Sequence, residues 1–478
     1  MKKSFLLFAI FAFLCFTNLF AQQTIESHYG NPGLDVAYSA AATNDGGYII
    51  TGLTKSMLDQ NGDIVVIKVS AHGDTTWSRT YGGPFLEGGN FVMQTADGNY
   101  MVSGHTQDFG AQDCDAFLMK LDQYGNNMWI KTYGGDSDDI SESVVELPGG
   151  GYVIGGMTAS YGNVGVSMNR HLYFIKTNSA GDTIWTKVYA GSGVEECYSI
   201  AAMQDGGFLA ACWTTSWGNI SGDGWLVRMN SSGDTLWTRL YKNGGDTRLF
   251  KILATMDDGF IVAAYTTPIV GGVREAMIIK LDAYGNELWK KTFSNPSSVM
   301  LHDVVQLPTG NFMFTGGSFP TPTTGNVYVL TTDANGNKLS DQFCGGTNSW
   351  ANAIAAQGNN SYLIAGSAAK YGDPDGDLYF MELDNTISAH VQTTTTQQPH
   401  LYPNPIIDQP AIVVLPEAEA NGKVHIDIFS KDGRKMYSKY NILAKDIIIS
   451  RDQFPPAQYH FRIICKDEAQ YTGEFVVE

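Results

Sequence analysis

Acidic residues at regular spacing are the first candidates for chemistry in this chain. Asp35, Glu87, Asp139 and Glu195 form one set, and Asp63, Asp115, Asp223, Glu275 and Asp377 form a second. Clustered carboxylates suit a hard cation such as Ca2+. The competing reading is that an acid repeated in every structural unit caps a repeated turn by accepting backbone N–H bonds, and for recurring features this ranks first. Asp373, Asp375 and Asp377 alternate like the ligands of a calcium loop, although Asp373-Pro374-Asp375-Gly376-Asp377 lacks the sixth-position glycine of an EF-hand. They are the metal candidates, and no other cofactor is called for. The nine histidines show no H-E-x-x-H spacing, and no G-x-S-x-G elbow is present, so no catalytic residue is assigned.

The elements that must position these residues come from an internal repeat. An aromatic following a D-G-G-type turn recurs at Tyr48, Tyr100, Tyr152, Phe208, Phe260, Phe312 and Tyr362. A second landmark closes an alternating apolar strand at Lys68, Lys120, Lys176, Arg228, Lys280, Thr331 and Glu382, and a tryptophan follows nine residues later at Trp77, Trp129, Trp185, Trp237 and Trp289. Between the last two sits a turn such as Asp122-Gln123-Tyr124-Gly125-Asn126, whose glycine supplies positive φ. Each unit of about 50 residues thus reads as four antiparallel strands, which is a propeller blade. The expected fold is all-β: a seven-bladed β-propeller over 22–391, followed by a small Ig-like β-sandwich. The seventh unit lacks a convincing fourth strand, and His28-Tyr29-Gly30 matches Thr80-Tyr81-Gly82, so residues 22–30 are expected to close blade seven.

On that scaffold the first acidic set falls where the innermost strands begin, at the channel mouth. Phe109-Gly110, Tyr161-Gly162, Trp217-Gly218 and Tyr371-Gly372 fall in matching loops, and Trp213 is close by. Blade three carries four extra residues between Tyr152 and Lys176, and a loop that departs from its repeat is the better place to look for function. Tyr161, Trp213, Trp217, Phe109 and Tyr371 are therefore the ligand-binding candidates, with Tyr161, Trp213 and Trp217 as the hot spot. The alternative is that each aromatic tucks beneath its own loop. Cys197 and Cys212 lie at similar distances from Gly206 and are placed to face each other across a hairpin. The default for the cysteines is free thiols.

Composition agrees with this class. Of 478 residues 43% are hydrophobic and 16% charged, too apolar for a disordered chain. The net charge of −18 repels phosphate backbones, so nucleic acid is not an expected partner. Lys2 and Lys3 precede an apolar run from Phe5 to Phe16, which reads as a signal peptide of residues 1–21 cut between Ala21 and Gln22. No later segment is long and apolar enough to span a membrane, so the mature chain is expected to have no transmembrane segment.

A Thr- and Gln-rich linker fills 392–400. Beyond it come Tyr402-Pro403-Asn404-Pro405 and alternating segments at Val424 to Phe429, Ile447 to Ile449, Tyr459 to Ile464 and Tyr471 to Val477. The Y-P-N-P start, the V-x-I-x-I-F-x-x-x-G hairpin and the Q-Y-H-F-R-I strand resemble the type IX secretion C-terminal sorting domain, over 401–478. Ala457 departs from the glycine usual in that family. The repeat unit resembles tandem propeller repeats of exported Bacteroidota proteins, and its D-x-x-G-x-x-x-W core is loosely similar to quinoprotein-type propellers.

These resemblances imply export through the periplasm by the type IX machinery, acting through residues 401–478, to the outer-membrane surface or the medium. The first functional expectation is a non-enzymatic propeller binding a glycan or protein ligand. The runner-up is a polysaccharide-active enzyme, a glycosidase or lyase, on the same scaffold; a structural envelope component is third. Asp74-Thr75-Thr76, Asp182-Thr183-Ile184 and Asp234-Thr235-Leu236 resemble the short O-glycosylation signal of exported Bacteroidota proteins, and they also coincide with the repeated hairpin turn.

Overall fold

The fold was analysed in a computed structural model, which describes residues 24–29, 34–55, 61–71, 73–109, 113–162, 170–268, 272–295, 297–321, 324–344, 348–357, 361–370, 373–384, 400–402, 411–414, 423–430, 434–443, 448–449, 453–465 and 470–477. Ala21, Gln22 and Tyr371 lie outside them. No helix among the described residues is long and apolar enough to cross a membrane.

Residues 24–384 form seven four-stranded antiparallel sheets. The first comprises Asp35–Ala42, Tyr48–Lys55, Gly62–Val69 and Thr75–Tyr81. The second repeats it with Glu87–Gln94, Tyr100–Thr106, Asp115–Leu121 and Asn127–Tyr133. Four more follow over 139–189, 195–241, 247–293 and 298–344. The seventh takes Ser349–Ala356, Ser361–Lys370 and Asp373–Asp384 from the end of this region, and its fourth strand, Thr24–Tyr29, from the start. Thr24 to Tyr29 pair antiparallel with Leu383 to Leu378.

Seven apolar cores hold the sheets together, each between two sheets consecutive in the cycle. Ile49, Ile64 and Val66 of the first sheet pack on Val102, Phe117 and Met119 of the second. Tyr48, Ile50 and Ile67 pack on Leu363, Ala365 and Phe380 of the seventh. Each such side chain contributes about 1.5–3 kcal/mol on burial. Because the first sheet packs on the last, the sheets close on themselves as a β-propeller.

Two repeated devices join neighbours. Each tryptophan lies beneath the turn of the next sheet: a Cβ on Gly125 would meet the Trp77 ring at 2.9 Å, and Gly181, Gly233, Gly285 and Gly336 stand in the same way over Trp129, Trp185, Trp237 and Trp289. These turn glycines have φ near +80°, so glycine is required there by both conformation and space. Tyr133 Oη donates to the Gly181 carbonyl at 2.7 Å, and Tyr189 Oη to that of Gly233 at 2.7 Å. Within a sheet, the repeated Lys or Arg reaches back to the D-G-G turn. Lys68 pairs with Asp45 at 2.9 Å and Lys280 with Asp257 at 3.0 Å, and Arg228 pairs with Asp205.

The C-terminal region has a three-stranded sheet, His400–Tyr402, Ala411–Val414 and Ile448–Ile449, and a four-stranded one ordered Lys435–Leu443, Lys423–Ser430, Ala457–Cys465 and Gln470–Val477. Lys435–Leu443 is a strand that the sequence reading did not propose; its K-M-Y-S-K-Y-N-I-L pattern carries polar residues at both alternating phases. Asp427, buried on Lys423–Ser430, accepts from Arg462 at 2.9 Å and Ser438 at 2.7 Å, and Arg462 holds its carboxyl below the usual range.

Candidate functional site

Every innermost strand of the propeller carries a β-bulge at the same place. The register skips one residue in each, between Ala37 and Ser39, Gly89 and Phe91, Ser141 and Ser143, Cys197 and Ser199, Leu249 and Lys251, Leu301 and Asp303, and Ala351 and Ala353. A bulge bends its strand and re-aims the extra side chain. The skipped residues are Tyr38, Asn90, Glu142, Tyr198, Phe250, His302 and Asn352, and all seven line one cavity of about 410 Å3. That cavity is the central channel, with Ser39, Phe91, Ser143, Ser199, Lys251 and Asp303 also in its wall.

Three members of the ring are committed to architecture. Asn90 Nδ2 donates to the Ser141 carbonyl at 3.2 Å, Asn352 Nδ2 to that of Ala37 at 2.9 Å, and His302 Nδ1 lies 2.9 Å from the Ala351 carbonyl. Each bond reaches the residue just before the bulge of the next sheet. One residue further along, Ser39, Ser143, Ser199 and Asp303 accept from the main-chain N–H of Val92, Ile200, Ile252 and Ile354. Lys251 stands at this position in the fifth sheet and pairs with Asp303 at 3.4 Å, its ammonium 5.7 Å from the Phe91 ring.

The rest of the ring is not used this way. Tyr198 donates its hydroxyl to Glu196 and accepts from Arg248 at 2.8 Å, and its ring lies 5.1 Å from that of Phe250. Phe250 in turn meets His302 edge-on at 4.8 Å. Glu142 accepts no hydrogen bond among the described residues, although it is partly exposed to the channel. Burial, and then the Glu196 carboxylate, push it up to about 8 against the pull of Arg170. His105 reaches the channel from the second strand of its sheet because Gly88 in front of it has no side chain; a Cβ there would lie 2.6 Å from the imidazole. Its Nδ1 is buried without a partner, and burial lowers it to about 4, so the ring is neutral at pH 7.

The residues singled out in the sequence are placed elsewhere. Asp35, Glu87, Asp139 and Glu195 are buried and do not line the cavity. Glu87, Asp139 and Glu195 accept the N–H of Gly83, Gly135 and Gly191 in the turns that enter their sheets, at 3.2, 2.9 and 3.0 Å. These three acids anchor turns. The two acidic sets meet there: a Cβ on Gly134 would touch Asp115 at 1.9 Å and Asp139 at 2.6 Å, and one on Gly82 would touch Asp63 and Glu87. Asp373, Asp375 and Asp377 fall along the strand Asp373–Asp384, with Asp377 buried. Among the described residues no three or more His, Cys, Asp or Glu side chains converge as a metal site.

Each described aromatic candidate has a packing partner. Trp213 is buried, its indole donating to Asp246 at 2.9 Å and carrying the Arg248 guanidinium 4.2 Å over its ring. Tyr161 is half exposed, but its hydroxyl donates to the Gly134 carbonyl and its ring packs 5.8 Å from Tyr173. Trp217 packs 4.6 Å from Trp225, and Phe109 lies against the core between the first and second sheets. Tyr161 and Trp217 nevertheless remain 41% exposed. His171 is buried with Nδ1 3.0 Å from Glu195, and Arg170 pairs with Glu196 at 3.3 Å. Cys197 and Cys212 stand directly opposite in register, both buried and both free thiols.

No family model matches the chain, and no curated protein matches it by sequence. Among solved structures it is similar to a protein of unknown function from Dyadobacter fermentans, at 11% identity and a TM-score of 0.44, covering 76% of this chain and 99% of that one. It is also similar to the Pan2 WD40 domain of Neurospora crassa, at 10% identity and 0.46, covering 76% and 95%. A third is the β-propeller domain of the trilobed protease of Pyrococcus furiosus, at 9% and 0.43, covering 74% and 94%. No functional conclusion is drawn from likenesses at this level.

Proposed function

We propose that the chain is a seven-bladed propeller that binds a small ligand, a glycan first among them, in its central channel, and that it works at the outer-membrane surface or beyond. The observation that carries this reading is the bulge ring. The seven skipped positions hold two Tyr, two Asn, a Glu, a Phe and a His around one cavity. Architecture favours sameness from blade to blade; a ring that varies and surrounds a space is suited to recognising something asymmetric. Aromatic walls with a few convergent polar groups are the usual make-up of a ligand pocket.

Residues 401–478 are read as an Ig-like sorting domain of the type IX route, and residues 1–21 as the signal peptide. Thr75, Thr183 and Thr235 are exposed at the start of outer strands, in keeping with O-glycosylation. The polysaccharide-active enzyme remains the second reading. Screening the purified chain on glycan arrays and hydrolase substrates, beside a channel-filling Asn90→Trp variant whose melting is checked, tests the binding reading. Hits lost in the variant support it; hits retained, or substrate turnover, move the function elsewhere. Deleting residues 400–478 should leave a folded propeller in the periplasm, and normal surface delivery would overturn the export assignment.

A further inference from the structure

The channel is chemically lopsided. On the side of the fifth and sixth sheets its charges are matched: Lys251 faces Asp303, and Asp303 also accepts the N–H groups of Val304 at 2.8 Å and Ile354 at 2.9 Å. On the side of the second and third sheets three acceptors face the same space with no donor among the described residues. They are the Glu142 carboxyl, the side-chain oxygen of Asn90, whose nitrogen is held by Ser141, and Nε2 of a neutral His105, whose Nδ1 is enclosed. Tyr38 is 37% exposed beside them, and its hydroxyl makes no hydrogen bond to another described residue. Groups open to the channel are hydrated when it is empty, and a ligand that displaces that water must replace the hydrogen bonds it removes. The neighbouring cations do not supply these bonds: Arg170 and Arg248 both pair with Glu196, and Lys251 pairs with Asp303.

Taking the channel as the binding site, as proposed above, we infer that its ligand carries a protonated amine, seated against Glu142 with Asn90 and His105 as further acceptors and the rings of Tyr38, Tyr198 and Phe250 as walls. An ammonium has three N–H donors, which matches three unfilled acceptors, and aromatic faces add cation–π attraction to a carboxylate contact. A neutral polyol offers no cation to Glu142 and would leave its carboxyl protonated. The cavity of about 410 Å3 leaves room for a body the size of one amino sugar or one aromatic amine.

Binding is then coupled to a proton. In the empty channel Glu142 holds its proton up to about pH 8; the arriving ammonium displaces it, so that Glu142–COOH and R–NH3+ become a carboxylate–ammonium pair and one H+ leaves to solvent. The groups facing Glu142 that could share this titration are Glu196, Arg170, Tyr38 and Tyr198, with His105, His302, Lys251 and Asp303 elsewhere in the same wall. Burial keeps His105 and His302 below their ordinary range and Tyr38 and Tyr198 above theirs, so none of these four changes charge between pH 6.5 and 8.

The test is calorimetric titration of the full chain with two matched pairs of probes, glucosamine against glucose and phenethylamine against 2-phenylethanol. The expected result is an amine bound at least about tenfold more tightly than its neutral partner, with proton release seen as a buffer-dependent enthalpy at pH 7. Affinity for phenethylamine should rise by up to about tenfold per pH unit between 6 and 8. Glu142→Gln should remove the preference, the proton release and the pH dependence while leaving the melting temperature within a few degrees. Equal binding of amine and alcohol, or a preference that survives Glu142→Gln, overturns the inference and leaves the channel standing as a site for neutral ligands. Failure of all four probes overturns it too, and the Asn90→Trp comparison on array hits then decides the channel reading separately.

Discussion

The side-chain amide of Asn352 donates to the main-chain carbonyl of Ala37 at 2.9 Å, across 315 positions of sequence. With Tyr48 Oη, 2.9 Å from Ser361 Oγ, it ties the last sheet to the first inside the ring, while Thr24–Tyr29 ties the outer edge. Removing residues 22–30 strips the fourth strand from the seventh sheet and exposes the edge of Asp373–Asp384. The melting temperature should fall by on the order of 10 °C, with more aggregation on heating. An unchanged transition would mean that other residues close the sheet.

Trp213 and Trp217, four residues apart, should behave oppositely on truncation. Trp213→Ala removes a buried indole, its bond to Asp246 and the surface on which Arg248 lies, and should cost about 3–5 kcal/mol in a denaturant titration. Trp217 is 41% exposed, so Trp217→Ala should cost much less. Gly222→Ala should resemble the first, because φ at Gly222 is +97° and its Cβ would sit 2.1 Å from the Trp213 indole nitrogen.

Stability should decline as pH rises from about 6.5 to 8.5. Burial pushes Glu87 up to about 7 and Glu142 up to about 8, against an ordinary 4.5 in the unfolded chain. Over that window the native state binds more protons than the unfolded one, so the slope of stability against pH is negative. Below 6.5 the neutral His105 and His302 act with the opposite sign and offset the carboxylates. The melting temperature should drop by about 2–4 °C between pH 6.5 and 8.5, and less in Glu87→Gln and Glu142→Gln. A rising profile would contradict the protonated state of both.

Cys197 and Cys212 should resist a thiol reagent in the native protein and react fully in denaturant. Both are buried, and burial raises the Cys212 thiol well above its ordinary range, which suppresses the reactive thiolate. Peptide mapping that recovers the two residues as a disulfide-linked pair would show that the facing thiols oxidise in the exported protein.

The strands of the propeller were legible because their signals are local and recur in phase. Trp77 and its counterparts pack under a turn glycine one unit ahead, so Trp and Gly-Asn spacing carries the geometry directly. The channel was not legible for the opposite reason. Its ring has no common residue type, and nothing in Ala37-Tyr38-Ser39 announces a bulge. The slot three residues after Asp35, Glu87, Asp139 and Glu195 does change from repeat to repeat, but so do its neighbours, and nothing sets it apart. The partners of the aromatic loop residues were not legible either, because a sequence shows that Tyr161 is in a loop but not that its hydroxyl reaches the carbonyl of Gly134, 27 positions back.

Thr24–Tyr29 pairs with Leu378–Leu383, so this early strand acquires its partner only after some 350 further residues have been synthesised. Contacts of such long sequence separation slow folding, and until they form both the early strand and the open edge of the last sheet are available to other chains. The interval before the circle shuts is therefore when this protein most needs a holdase or dilution. Its yield on refolding should depend on concentration more steeply than that of a permutant whose ends are joined and reopened between two intact sheets.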